Sequence, residues 1–251
     1  MEILVLLKQT FDTEAKVTVK DGRVVDDDVT LVINPYDEYA VEEALKIREA
    51  HGGTVTVISV GGDRVDEALR RALAMGADEA VAITPPENAD EFVVANLLAA
   101  WAKGKSFDLL LAGNVSVDTG AGQTALRVAE LLGMPHVAAA LKLEVAGGTA
   151  TVHRDAEGDT EVVTVSLPAL ITAQQGLNEP RYPSVPGIMK AKRKQIARLT
   201  AADLGVDVAP KTAITSVYQA TQNRRNRMLG GTAEEQAREL VNLLRSEAKV
   251  V

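Results

Sequence analysis

Short apolar runs alternate with amphipathic stretches through the first half of the chain. Glu2 to Leu7 is a near-continuous apolar run and predicts a strand buried on both faces. Lys16 to Lys20 alternates in polarity, and Asp21-Gly22 signals a hairpin turn after it. Asn34-Pro35 predicts a helix start. Asp37, Glu38, Glu42 and Glu43 would complement its positive end, Ala40, Val41, Ala44, Leu45 and Ile47 its apolar face, and Gly52-Gly53 its stop. TVTVISVGG then reads as a strand, followed by a helix capped by Asp63 and closed at Met75-Gly76. A strand at Glu79–Ile83, a helix over Ala89–Ala102, a strand over Phe107–Gly113 and a helix over Gln123–Leu132 continue the rhythm. Strands follow at Val137–Val145, Ala150–Arg154 and Glu161–Ile171, the last two predicted to pair as a hairpin.

Strand and helix in strict alternation mean an α/β, doubly wound, mainly parallel Rossmann-like sheet with right-handed crossovers. If the order of the strands is 3-2-1-4-5, the winding reverses between the first and fourth. Ligands of such sheets bind outside the carboxyl ends of the strands at that reversal. Two loops are thereby nominated. One is Leu6–Phe11. The other is Gly113–Gln123, whose three glycines and helix start offer backbone N–H groups to an anion. Asn34 and the Val60-Gly61-Gly62 turn ring the same edge.

The last quarter loses this rhythm. Between Gly176 and Arg198 six Lys or Arg stand against one acid, among three prolines. Beyond Asp203 the chain is aperiodic until a helix expected over Ala233–Lys249, with Ala237, Leu240, Val241 and Leu244 on one face. Such an arm either packs on its own body or wraps another chain.

Composition narrows the chemistry. No cysteine is present, which excludes disulfides and thiol-ligated clusters. His51, His136 and His153 are far apart and lack ligand spacing, so no metal site is expected. Asp26-Asp27-Asp28 reads as a solvated turn rather than a cation site. The net charge of −8 argues against nucleic acid as a partner, and no apolar run is long enough for membrane insertion. The acid at position 2 and the short apolar run after it do not form a secretory signal, so a cytoplasmic location is expected. Neither G-x-G-x-x-G after a strand, nor a P-loop, nor a G-x-S-x-G elbow occurs. No nucleophile–base pair stands out; the chain reads as a nucleotide-binding body without catalytic residues of its own.

Residues Val152–Thr172 (VHRDAEGDTEVVTVSLPALIT) resemble the signature of the electron transfer flavoprotein β subunit. So do LNEPRYPSVPGIMKAKRK after it, NPYDEYAVEEAL at 34–45, LAMGAD at 73–78 and Gln123-Thr124 opening the fourth helix. The resemblance covers nearly the whole chain. It implies an obligate heterodimer with an α subunit that carries FAD. That complex shuttles electrons from flavin dehydrogenases, such as acyl-CoA dehydrogenases, to a quinone-reducing acceptor. It also implies an adenine nucleotide in this chain, AMP as a structural ligand in classical members and a second, redox-active FAD in electron-bifurcating members that oxidise NADH. The loop DTGAGQT mixes the two patterns, with AMP the favoured occupant and FAD the alternative.

By the same resemblance the nucleotide contacts are Leu6, Asn34, Val60, Asp118, Thr119, Gly120, Ala121, Gly122, Gln123 and Thr124. Thr13 and Tyr36 would lie near the partner's flavin. Tyr182, Val185, Pro186, Ile188, Met189 and Lys190 would form a dehydrogenase recognition loop, with Val185 as its anchor. Lys190, Lys192, Arg193 and Lys194 would steer acidic partners. The expected organisation is a nucleotide-binding domain over 1–200, including the loop 176–194, and an arm over 201–251 that embraces the α subunit. A self-contained nucleotide-binding module of stress-protein type is the rival from outside the family.

Overall fold

The computed structural model describes residues 1–25, 29–220 and 226–250. The Asp26–Asp28 turn lies outside the described residues. Contacts divide the chain into two units, residues 1–217 and 218–251.

In chain order the first unit contains β1 (Glu2–Leu6), β2 (Gln9–Phe11), β3 (Thr18–Lys20), β4 (Arg23–Val25), β5 (Leu31–Ile33), α1 (Pro35–His51), β6 (Thr54–Val60), α2 (Val65–Met75) and β7 (Glu79–Thr84). It continues with α3 (Glu91–Ala102), β8 (Leu109–Gly113), α4 (Thr124–Leu132), β9 (His136–Ala146), β10 (Thr149–Ala156), β11 (Asp159–Ser166), β12 (Ala169–Ala173), α5 (Val185–Arg193) and β13 (Ile196–Thr200).

One nine-stranded sheet has the order β11-β10-β9-β12-β8-β1-β6-β7-β13. From β13 across to β9 all neighbours run parallel, and β10 and β11 add an antiparallel meander at one edge. The run at the amino terminus is continuous because both faces of β1 are covered. Ile3, Val5 and Leu7 join the core that includes Val41, Leu45 and Leu69 of α1 and α2. Leu4 and Leu6 join the opposite core with Val93, Leu97 and Val128 of α3 and α4.

The expected order holds for its first four members, β7-β6-β1-β8. The fifth place is different. The run expected as one strand over Glu161–Ile171 is two strands. Pro168 has no N–H to give a ladder, so β11 ends at Ser166 and β12 re-enters the sheet between β8 and β9. The hairpin of β10 and β11 forms as expected. β13, which sequence periodicity did not mark, adds an edge beside β7. Asp63 does not cap α2: Arg64 holds the N-cap position without a side-chain cap. α3 starts two residues later than expected, at Glu91, because Asp90 caps it by accepting from the Val93 N–H. The Asp21-Gly22 turn is present, both residues having positive φ.

Residues 201–206 turn back on themselves, and Leu204, Val206 and Val208 pack against the second core. This part of the expected arm therefore belongs to the body. In the second unit, α6 (Ala233–Leu243) carries a capping box between Thr232 and Glu235 and runs on as a short π-helical turn to Ala248. Leu240 and Val241 of α6 are exposed. No helix among the described residues is long and apolar enough to cross a membrane.

Leu111 lies at 1% exposure in the middle of β8, whereas Val162 on the edge strand is 60% exposed. Leu111→Ala is expected to lower unfolding free energy by about 2–5 kcal/mol and Val162→Ala by under about 0.5 kcal/mol, both read by denaturant titration. Equal effects would mean that the central strands do not carry the core.

Candidate functional site

The sheet reverses its winding between β1 and β8, and a cleft of about 670 Å³ opens beyond their carboxyl ends. Leu6, Asn34, Val60, Thr119, Ala121, Gly122, Gln123 and Thr124 all line it. Asp118 stands beside it, bound to the lining Lys8, while Gly120 is not among the lining residues. Thr13 and Tyr36 do not line it: Thr13 is exposed, and Tyr36 sits in the first turn of α1 with its Cβ close to Gly113.

Asp37 builds the floor. It is 4% exposed. Its Oδ2 accepts the Lys8 N–H at 2.6 Å, and its Oδ1 accepts the Gly113 N–H at 2.8 Å. One carboxylate on α1 thus ties together the ends of β1 and β8. Gly113 has to be glycine: a Cβ there would meet the Asp37 carboxylate and come within 2.7 Å of the Tyr36 Cβ. Burial pushes Asp37 up from 3.8 to about 7, against the lowering effect of hydrogen bonds from Lys8, Asn34 and Gly113.

Asn34 builds the wall. Its amide donates to the Val115 carbonyl at 2.9 Å and accepts from the Val117 N–H at 3.1 Å. Both ends of the side chain are engaged with the loop after β8. On the other side of that loop, Thr172 of β12 donates to Asn114 at 2.9 Å. The Lys8 ammonium meets Asp118 at 2.8 Å at the rim. Desolvation raises Asp118, but Lys8, Ser116 and the Thr119 N–H outweigh it and hold the carboxyl below its ordinary value.

The cleft is polar in one direction. Lys8 is the cation among its lining residues, against Asp37, Asp90 and Glu91. No side chain caps the start of α4, where Gln123 is the N-cap. The Oε1 of Gln123 accepts two N–H groups of Arg127, at 2.9 and 2.7 Å, which leaves its NH₂ as the free end. The α4 end therefore offers donors and a positive dipole to a phosphate. The α3 end, with two acids, suits the uncharged ribose and base. These donors fit the phosphate of a nucleotide, a group that AMP and FAD share.

Sequence reasoning missed Lys8, Asp37 and the α3 side. Lys8 lay in a nominated loop, but Asp37 read only as a dipole partner because its burial has no local signal. The segment at Thr212–Ile214 also lines the cleft. It was hidden in an aperiodic stretch.

Loop 176–194 is held from behind and bare in front. Arg181 pairs with Glu42 at 2.8 Å and Glu49 at 2.5 Å, both on α1, which raises its already high pKa. Asn178 donates to the Tyr39 carbonyl and to Glu43. Ser184 caps α5, and Gly187 sits so close to the Ala74 carbonyl that a Cβ would collide with it. Arg70 donates to the Ala191 and Lys194 carbonyls. Lys194 is not a steering charge. Its ammonium turns inward and donates to the Ala77 and Asp78 carbonyls at 2.7 and 2.9 Å. In front, Tyr182, Val185, Ile188 and Met189 are exposed large apolar residues, Tyr182 at 89% and Val185 at 75%. Pro186 and Lys190 are exposed between them.

Comparison with known proteins shows which family the chain resembles. The electron transfer flavoprotein domain profile matches residues 21–204. The electron transfer flavoprotein subunit beta of Bacillus subtilis strain 168 is 48% identical over 257 residues, covering all of both chains. That of Syntrophomonas wolfei is 48% identical over 203 residues, 80% of this chain and 81% of its own. That of Mus musculus is 35% identical over 257 residues, all of this chain and 99% of its own.

The pH dependence of the floor follows from Asp37. Its folded pKa of about 7 exceeds the ordinary 3.8, so the folded state holds this proton more tightly. Stability gained through the group is complete below 3.8 and is lost as pH rises to about 7. Denaturant titrations across that window are expected to show a decline on the order of a few kcal/mol, and Asp37→Asn is expected to remove it. An identical slope in the variant would assign the titration to another group.

Proposed function

Because this chain belongs to the electron transfer flavoprotein β-subunit family, we propose that it is the adenine-nucleotide-holding half of a heterodimeric electron shuttle. The observation that carries the reading is the cleft at the sheet reversal, with the uncapped start of α4 and Lys8 at one end. AMP is the proposed occupant. Its phosphate would lie against the backbone of residues 121–124, with Lys8 free to exchange Asp118 for it. The family's flavin chemistry is supplied by FAD carried mainly by an α subunit, and this chain contributes no catalytic residue to it.

What this chain does is position and present. The proposed α partner pairs with the arm, whose exposed Leu240 and Val241 on α6 leave an apolar stripe to cover. Loop 176–194 is the proposed contact for flavin dehydrogenases of the acyl-CoA dehydrogenase kind. Exposed apolar residues on a loop fixed by Arg181, Asn178, Arg70 and Lys194 lose little conformational freedom on docking. Lys190, Lys192 and Arg193 flank the anchor as exposed cations and favour fast, salt-sensitive encounter with an acidic partner. A quinone-reducing oxidoreductase is the proposed acceptor. Thr13 and Tyr36 keep their proposed place near the partner's flavin.

The nucleotide is tested by denaturing the purified αβ complex and quantifying what it releases. One FAD and one AMP per heterodimer is expected. Two FAD and no AMP would replace the shuttle by an electron-bifurcating complex, with this chain holding a redox flavin.

For the loop, Val185→Asp is expected to slow electron transfer from the dehydrogenase at least about tenfold, with nucleotide content and assembly unchanged. An unaltered rate would remove Val185 as the anchor.

A further inference from the structure

Asp90 performs two tasks with one carboxylate. Its Oδ1 accepts the Val93 N–H at 3.0 Å and caps α3. Its Oδ2 accepts the Lys211 N–H at 2.7 Å, the Thr212 N–H at 2.9 Å and the Thr212 hydroxyl at 3.1 Å. The second task has nothing to do with α3. It fixes a segment more than a hundred residues away in the chain, at the edge of the cleft.

That segment has no regular structure of its own. Val206 and Val208 root it in the second core. Past them, the backbone N–H groups of 207–217 that find a protein acceptor, among the described residues, are those of Lys211 and Thr212, both on Asp90. The Lys211 ammonium adds a contact 5.2 Å from the centre of the Phe92 ring. Directly after this fastening, Thr212, Ala213 and Ile214 line the cleft, opposite in sequence and in element to the residues of α4. Ile214 is 86% exposed although it lines a cavity. An apolar side chain in that position has surface left for a ligand to cover.

Desolvation raises Asp90, but its hydrogen bonds outweigh that and hold it at about 2, so the fastening carries its full charge at neutral pH. Charge-assisted bonds of this type are the stronger class. Beyond its root at Val206 and Val208, this wall is held by the Asp90 bonds and the Lys211–Phe92 contact, whereas α3 and α4 are secured by the core.

We propose that residues 209–214 are a strap that retains the adenine nucleotide, and that Asp90 is the positioning residue that latches it. The retention role rests on the nucleotide reading above; the latch does not. The strap covers the ribose-and-base end of the cleft, so it governs how fast the ligand leaves rather than which phosphate group is recognised.

Asp90→Ser separates the two tasks. Serine caps a helix about as well as aspartate, but its single, shorter oxygen cannot also reach the strap. Thr212→Val removes one latch bond and leaves Asp90 in place. In the αβ heterodimer, amide hydrogen exchange at 211–214 reports the latch. Release of labelled AMP into excess unlabelled AMP reports retention, with FAD used instead if that is what the wild-type complex holds. Asp90→Ser is expected to accelerate exchange at 211–214 and to speed nucleotide release about tenfold or more, with helix content unchanged. Thr212→Val is expected to do both to a smaller degree. Unaltered exchange would overturn the latch. Faster exchange with release at the wild-type rate would overturn the retention role. A wild-type complex that takes up neither nucleotide would overturn the nucleotide reading and retention with it, while exchange would still decide the latch.

Discussion

A single buried carboxylate organises the functional end of this molecule. Asp37 stands on the first turn of α1 and accepts the N–H groups that end β1 and β8. Those two strands are where the sheet changes its direction of winding, so their ends diverge and leave a gap. The Asp37 bridge fixes the width of that gap. It also requires Gly113, because no side chain fits between the helix start and the strand end. Asn34, three residues earlier, uses both ends of its amide to hold the loop after β8. The cleft is therefore shaped by groups already committed to each other. What remains available to a ligand's phosphate is backbone N–H, with Lys8 and the free NH₂ of Gln123 beside it, and apolar side chains such as Leu6, Val60 and Val94 line the rest.

The proposed roles of nucleotide holder and contact surface share one helix. α1 carries Asp37 toward the cleft on its first turn, and Glu42 and Glu49 toward Arg181 further along. The same helix thus braces the cleft floor and the base of loop 176–194. The side chains that fix that loop, Asn178, Arg181 and Lys194, are polar and turned inward; outside remain the apolar Tyr182, Val185, Ile188 and Met189, with Lys190, Lys192 and Arg193 beside them. A loop fixed from behind loses little conformational freedom if a partner docks on its front.

Much of the fold was legible in the chain, for one physical reason. Strands covered on both faces favour continuous apolar runs, and β1, β7 and β8 show them, while β6 carries small Thr and Ser among its valines and isoleucine. Once the alternation was read, the topology nominated Leu6–Phe11 and Gly113–Gln123, and the cleft lies between these loops. The failures also have causes. β12 returns to the centre of the sheet across a long sequence separation, and periodicity carries no information about which neighbour a strand finds. β13 (Ile196–Thr200) exposes most of its length on an edge, so it lacks the apolar run. Lys194 looked like part of a solvated basic cluster, and only the tertiary fold shows carbonyls within reach of its ammonium. Asp37 looked like one more acid at a helix start. Burial, not residue type, gives it its role.

The proposed seat of the adenine nucleotide is the Asp37-braced cleft. The most direct measurement is a crystal structure of the αβ heterodimer purified with its bound nucleotides. An adenine nucleotide is expected in this chain, its phosphate against the N–H groups of residues 121–124, with the Asp37 bonds to Lys8 and Gly113 intact. A nucleotide seated elsewhere on this chain, or a cleft filled by side chains of the partner subunit, would contradict it.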